Sequence, residues 1–294
     1  MPRWSTCQVP IDTGLFTPLG LQPTAIFRLA FNAAGGWLGR YAISHRRLVS
    51  EHRTGFVVWS AQFIAGKPTS FLEGDCLEVR VVGRVRGDGT QFECEGEVSG
   101  ASGGTTRMQA CCVPLRLDGD PALSGVPARL SAEVMAAFLP DEIEARPYRS
   151  PVPGMQAAVA IEGTLLASGQ MPFTIHRHQC EIADQWFWPE AASLASGARE
   201  ELVRSESDGD PRLRLGLATP VHRLDLVFNR PFFLFDEGAV RSSAYDWQGR
   251  VVFIHELIGT TDDEARAIAI EQFTPGDPLP GPLYKGERGR RSWH

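Results

Sequence analysis

The chain has 294 residues, 43% apolar and 22% charged, with a net charge of −6. That length fits two domains of about 100–150 residues each, and the composition is that of an ordinary globular protein with enough apolar residues to bury a core. The mild acidity and the absence of a basic stripe exclude a nucleic-acid binder, and no run of about 18 apolar residues is present to span a membrane.

Taken in chain order, the first strand candidate is Thr24 to Phe31, β-branched and aromatic, broken by Asn32-Ala33-Ala34-Gly35-Gly36. From Trp37 to Val49 the apolar residues Trp37, Leu38, Tyr41 and Leu48 fall at roughly helical spacing. Strand-like runs follow at Phe56–Ile64, Cys76–Val85, Gln91–Val98 and Arg107–Leu117, the middle two joined by a turn containing Asp88-Gly89. A Pro- and Gly-rich connection comes next, with a short helix at Ser131–Phe138 and an extra strand at Ala157–Leu166. The pattern then returns: a strand at Phe173–Cys180, a break at Glu181–Gln185, and a helix at Pro189–Val203 with Pro and Glu in its first turn. Strands at Val221–Phe228, Ala239–Tyr245 and Arg250–Ile258 complete it.

The two halves therefore repeat one order of elements, one long helix followed by antiparallel strands. Ile26, Arg28 and Trp37 fall opposite Ile175, Arg177 and Trp186 at one offset, Val79-Arg80 opposite Val240-Arg241, and Gly89 opposite Gly249. The boundaries drawn from this repeat are a first unit at 20–118, a linker at 119–155, a second unit at 156–262 and a tail at 263–294.

Six cysteines are scattered through the chain without a C-x-x-C pair, so they read as small hydrophobes in a reducing, cytoplasmic setting. The N-terminus lacks the apolar run of a signal peptide. No spacing of His, Cys, Asp or Glu supplies a metal site, Gly100–Gly104 lacks the Lys-Ser/Thr of a phosphate loop, and no G-x-S-x-G elbow occurs.

The segment Cys180-Glu181-Ile182-Ala183-Asp184-Gln185-Trp186-Phe187-Trp188-Pro189 resembles the signature of the 4-hydroxybenzoyl-CoA thioesterase family of hotdog proteins, a strand ending in Asp-Cys-Asp-Pro-Ala-Gly, then aromatics, Pro and the central helix. Phe228-Asn229-Arg230-Pro231 resembles a strand end common in the same superfamily, and Gly35-Gly36 the pair at its helix start. The resemblance implies an α+β fold of two tandem hotdog domains, each a curved antiparallel sheet wrapped around one helix. It implies hydrolysis of acyl-CoA or acyl-carrier-protein thioesters without a cofactor, with Glu181 on the family's nucleophile or general base. Further pairing of such chains into a homodimer stays open.

The residues support that chemistry on their own terms. A carboxylate at a strand end beside aromatics is partly desolvated and more basic, and unpaired amides at a helix start can hold an oxyanion. The candidates are Glu181, Asp184 and His178 for catalysis. Gly36, Trp37, Trp186, Phe187 and Trp188 are the candidates for substrate binding. In the first half Asn32 falls opposite Glu181, so one working acid is expected. Two alternatives remain open. One is a dehydratase using His178 with Glu181 or Asp184, or an acyltransferase/decarboxylase of polyketide type; the other is a non-catalytic acyl-binding protein.

Overall fold

Apolar side chains at Ile26, Phe27, Ala30, Ala34, Trp37 and Leu38 make one continuous stripe, and the chain from Pro23 to Tyr41 is a single helix, α1, with Pro23 at its start. This replaces the strand expected at Thr24–Phe31. The Ile-Phe and Leu-Ala-Phe runs are β-prone locally, but all of their large residues find cover only on a helix, and packing overrides so weak a local preference. A separate short helix, His45–His52, follows, with the Ser44 hydroxyl accepting from its first turn.

The computed structural model describes residues 1–118, 125–206, 210–262 and 264–273. In the first unit β1 (Ser5–Pro10) precedes α1, which is followed by β2 (Thr54–Ala65), β3 (Cys76–Arg86), β4 (Gln91–Ser99) and β5 (Thr105–Leu117). A connector carries the Ser131-capped turn Ala132–Met135 and a helix, α2 (Val152–Glu162). The second unit is β6 (Thr164–Thr174), α3 (Glu190–Ser205), β7 (Arg223–Phe228), β8 (Glu237–Trp247), β9 (Arg250–Gly259) and β10 (Ala265–Gln272). Three further expectations change here. Ala157–Leu166 divides into the end of α2 and the start of β6, separated by Gly163. The strand expected at Phe173–Cys180 stops at Thr174 and gives way to a 3-10 turn, Arg177–Gln179. β10 lies within the stretch taken as the tail, and β1 lies before the expected start of the first unit.

The ten strands named here join antiparallel in one sheet in the order β1-β3-β4-β5-β2-β7-β10-β9-β8-β6. Each half runs first-third-fourth-fifth-second, so the two units are related by a pseudo-twofold axis at the β2–β7 seam. There Ile64 to Ser60 pair with Arg223 to Val227, centred on Gln62 opposite Asp225. Counting outward equally from that centre, Gly66-Lys67-Pro68 falls opposite Asn229-Arg230-Pro231. This is the hotdog arrangement twice over, as the sequence resemblance implies.

Both long helices lie on one face of the sheet and enclose the main core. Trp37 is fully buried there, and its indole Nε1 donates to the Arg3 carbonyl at 2.5 Å. It fits because Gly83 lies beneath it: a Cβ at that position would come within 2.6 Å of the ring. The opposite face of the second unit is covered by α2, which closes a smaller core of Val152, Val159, Val227, Val252, Ile254 and Ile270.

The main core of the second unit also holds charge. Arg199 on α3 donates to both oxygens of Glu271 on β10 at 2.6 Å. His255 Nε2 is 3.3 Å from Glu271, and Ser242 Oγ is 2.8 Å from His255 Nδ1. Burial opposes ionisation of Glu271, but Arg199 and His255 more than offset it and hold the carboxyl at about 2.

Two stability predictions follow from these positions. Arg199→Met strands a buried carboxylate and is expected to cost about 3–5 kcal/mol in denaturant unfolding. Gly36 lies on the exposed face of α1, with nothing within 4 Å of an added Cβ. Gly36→Ala is expected to gain roughly 0.5–1 kcal/mol in the same assay, the ordinary helix-interior difference.

Candidate active site

The seam ladder ends at Ser60 opposite Val227. Beyond it the two strands part: β2 runs back through Trp59 to Phe56, and the other chain turns away through Phe228-Asn229-Arg230-Pro231. The gap is a cleft of about 230 Å³ with walls from both units. Phe31, Phe56, Trp59 and Val113 come from the first; Glu181, Gln185, Trp186, Trp188 and Phe228 to Phe232 come from the second.

The loop that presents Glu181 is braced by backbone hydrogen bonds. Cys180 closes the 3-10 turn by donating to Arg177, and Glu181 N donates to Gln185 O at 2.8 Å. Asp184 turns the chain with a left-handed φ of 53°, and its carbonyl accepts from Leu234 N at 2.9 Å. Trp186 N donates to Phe232 O and Phe187 N to Gln179 O, each at 2.8 Å. Two loops of the second unit are thereby fastened together along the cleft.

Within this frame no donor among the described residues reaches the Glu181 carboxylate. Glu181 is exposed at the mouth of the cleft, and the walls beside it remove part of its solvent and push its carboxyl above the usual range. A carboxylate in that state is a stronger base than one in open water.

Of the three amides expected at the start of the second unit's helix, Trp186 to Trp188, one is left unbonded. The Trp186 and Phe187 amides are spent within the loop, whereas the Trp188 amide, next to Pro189 at the head of α3, has no acceptor among the described residues. It is free to hold an oxyanion.

The other predicted residues take different places. Gly36 and Trp37 lie in the second half of α1, not at a helix start, so their amides belong to the helix ladder and Trp37 is a core pillar. Neither lines the cleft. Asp184 is exposed, pairs with Arg177 at 2.8 Å and does not line the cleft. His178 is also exposed and outside the cleft, on the 3-10 turn with its ring parallel to His176 at 6.0 Å. Phe187 packs on Phe31 at 6.0 Å, with the Arg28 guanidinium 5.7 Å from its ring. Glu181, Trp186 and Trp188 are the three predicted residues that meet in the cleft.

The counterpart of Glu181 also changes. In the first unit the 3-10 turn Thr13–Leu15 follows β1 and closes at Phe16, as the turn Arg177–Gln179 closes at Cys180. The next residues are Thr17 and Glu181. Thr17, not the helical Asn32, is the structural equivalent, and it carries no acid.

Sequence reasoning missed Gln185, whose side chain has no hydrogen-bond partner among the described residues, and the whole β2 wall from Phe56 to Trp59. Gln185 lies inside the recognised motif and was visible there. The β2 wall had one indirect signal, the Lys67-Pro68 echo of Arg230-Pro231, which marks the same strand end in both units. Among the described residues no cluster of three or more His, Cys, Asp or Glu side chains is placed to hold a metal, and no helix is long and apolar enough to cross a membrane.

Folding raises the pKa of Glu181, so the folded state holds its proton more tightly than the unfolded chain. The associated stability is fully present below the ordinary carboxylate pKa and is lost as the pH rises through the raised value. Glu181→Gln is therefore expected to melt at a higher temperature than the parent at pH 7, with the difference shrinking below about pH 4. Equal melting temperatures at pH 7 would mean the carboxylate is as well solvated as in the unfolded chain.

No protein-family model matches the chain, and no curated protein matches it in sequence. Solved structures do. A protein assigned as an oleoyl thioesterase from Lactobacillus plantarum is 14% identical, with a TM-score of 0.72 over 96% of this chain and 98% of that one. The 12:0-ACP thioesterase from Umbellularia californica is 12% identical, with a TM-score of 0.62 over 93% and 98%. An acyl-ACP thioesterase from Bacteroides thetaiotaomicron is 10% identical, with a TM-score of 0.60 over 92% and 98%. At these identities the likeness is one of fold: the full tandem pair of hotdog units is shared from end to end.

Proposed function

We propose that this protein hydrolyses acyl thioesters of coenzyme A or of a carrier protein. The observation that carries the reading is the unpartnered, partly desolvated Glu181 at an aromatic cleft, with the free Trp188 amide in the same loop. The named activities of the three similar structures support it.

In this mechanism the acyl group enters the aromatic seam and the thioester carbonyl accepts from Trp188 N–H. Glu181 attacks the carbonyl carbon, or takes a proton from the water that does. Either route places negative charge on the carbonyl oxygen, where the amide stabilises it, and collapse breaks the C–S bond to release the thiol. If Glu181 attacks, the sulfur leaves as thiolate and takes a proton from solvent, and one water then cleaves the resulting anhydride and frees the acid. Gln185, which also lines the cleft, can orient that water through its free carboxamide.

The dehydratase alternative needs His178 beside an acid in the cleft, and His178 stands outside it. The six cysteines are all unpaired, which suits a reducing compartment such as the cytoplasm.

The test is thiol release from a panel of acyl-CoAs and acyl-carrier-protein thioesters. The parent protein is expected to release thiol from at least one of them. Glu181→Gln is expected to lower kcat by about 10²–10⁴-fold. Because the carboxylate must be ionised, kcat/KM is expected to fall on the acid side with an apparent pKa above that of an ordinary glutamate. Turnover unchanged in Glu181→Gln would remove this residue from the mechanism.

A further inference from the structure

The seam cleft is lined by residues from both faces of the sheet, and its chemistry sits on one of them. Glu181 belongs to the loop leading into α3, and the adjoining Trp186 and Trp188 are part of the main core on the helix side. Trp59 reaches the same cleft from the opposite face.

Side-chain alternation along β2 shows how it gets there. Phe63 and Ala61 point to the helix side, and regular alternation would send residue 59 the same way. The pairing with β5 is irregular instead: Val58 stands opposite Cys112 and Ser60 opposite Cys111, leaving Trp59 as the extra residue. A bulge of this kind re-aims a side chain and is favoured beside active sites. Here it keeps Val58 on the helix side and turns Trp59 outward, under the connector. The ring meets Tyr148 edge-on at 5.8 Å and packs against the small core closed by α2. Its buried Nε1 makes no well-formed hydrogen bond and has the Cys111 thiol as its polar neighbour, so packing does most to hold it.

We propose that Trp59 closes the far end of the cleft and sets the length of acyl chain this site accepts, an inference that rests on the thioester-hydrolase reading above. With the carbonyl at Trp188 and Glu181, an acyl tail leads away through the seam between Phe56 and Phe228 and stops at the indole. A smaller side chain at position 59 lengthens the channel. Each further methylene buried there is worth roughly fourfold in affinity.

The experiment compares Trp59→Ala and the milder Trp59→Leu with the parent on butanoyl-, octanoyl-, dodecanoyl- and hexadecanoyl-CoA, read by thiol release. Binding of the matching S-alkyl-CoA thioethers is read by calorimetry, and thermal unfolding checks that each variant is folded. The preferred chain is expected to lengthen. The ratio of kcat/KM for the next longer substrate to that for the parent's best one should rise about tenfold or more in Trp59→Ala and by less in Trp59→Leu, with the thioether affinities following. A folded Trp59→Leu that keeps the parent ranking within about twofold overturns the role of Trp59. So does a loss of equal size at every length. A parent that neither hydrolyses a thioester nor binds a thioether overturns the hydrolase reading, and this inference with it. A parent that hydrolyses them while both variants keep its ranking overturns the inference alone.

Discussion

The short ladder between β2 and β7 is the contact on which the molecule depends. Each unit ends in a strand whose outer edge would otherwise present unpaired backbone groups, a template for misassociation. Pairing those two edges satisfies the groups, merges two sheets into one and places both helices on a common face. The ladder holds for only five pairs, from Ile64–Arg223 to Ser60–Val227. Where it stops, the strands diverge and the cleft opens. The site is thus a product of incomplete pairing: a longer ladder would fill it, and without the ladder its two walls would not meet.

The two units use their common plan unequally. Thr17 stands where Glu181 stands, so the first unit brings a wall and no acid. The cores differ as well. The sixth residues of β8 and β9 are Ser242 and His255, members of the buried chain to Glu271 and Arg199; the sixth residues of β3 and β4 are Val81 and Gly96, which pack with Met108 and Ala30. A homodimer of identical units could not diverge in this way. With both copies in one chain, the two can differ at matching positions, and the second carries polar groups next to the helix that heads the site.

The strands of the first unit from β2 onward were legible because Gly-containing turns cut them into separate apolar runs of the right length. The motif from Cys180 to Pro189 was legible because the residues that shape the loop are contiguous. α1 was not: Ile26, Phe27 and Phe31 satisfy a strand pattern as well as a helical one, and only the position of Trp37 over Gly83 decides between them. β10 was obscured by its alanines. Ala267 and Ala269 fit beneath α3 because they are small, and Ile268 and Ile270 face the other core, so neither face shows a polar alternation. The β2 wall left only the Lys67-Pro68 echo in the sequence, since a bulge is a property of the pairing between two strands.

The position of β10 has a consequence for synthesis. In each unit the last strand among the described residues is an inner one: β5 inserts between β4 and β2, and β10 between β9 and β7. While the ribosome is still making the second unit, β7 can dock on the finished first unit, and β8 and β9 can form their hairpin, but nothing joins the two groups. The nascent chain therefore carries two open strand edges facing one another until β10 closes them. The segment from Ala265 to Gln272 acts as a keystone, and the interval before it arrives is when the half-built sheet is most exposed to aggregation and to chaperones.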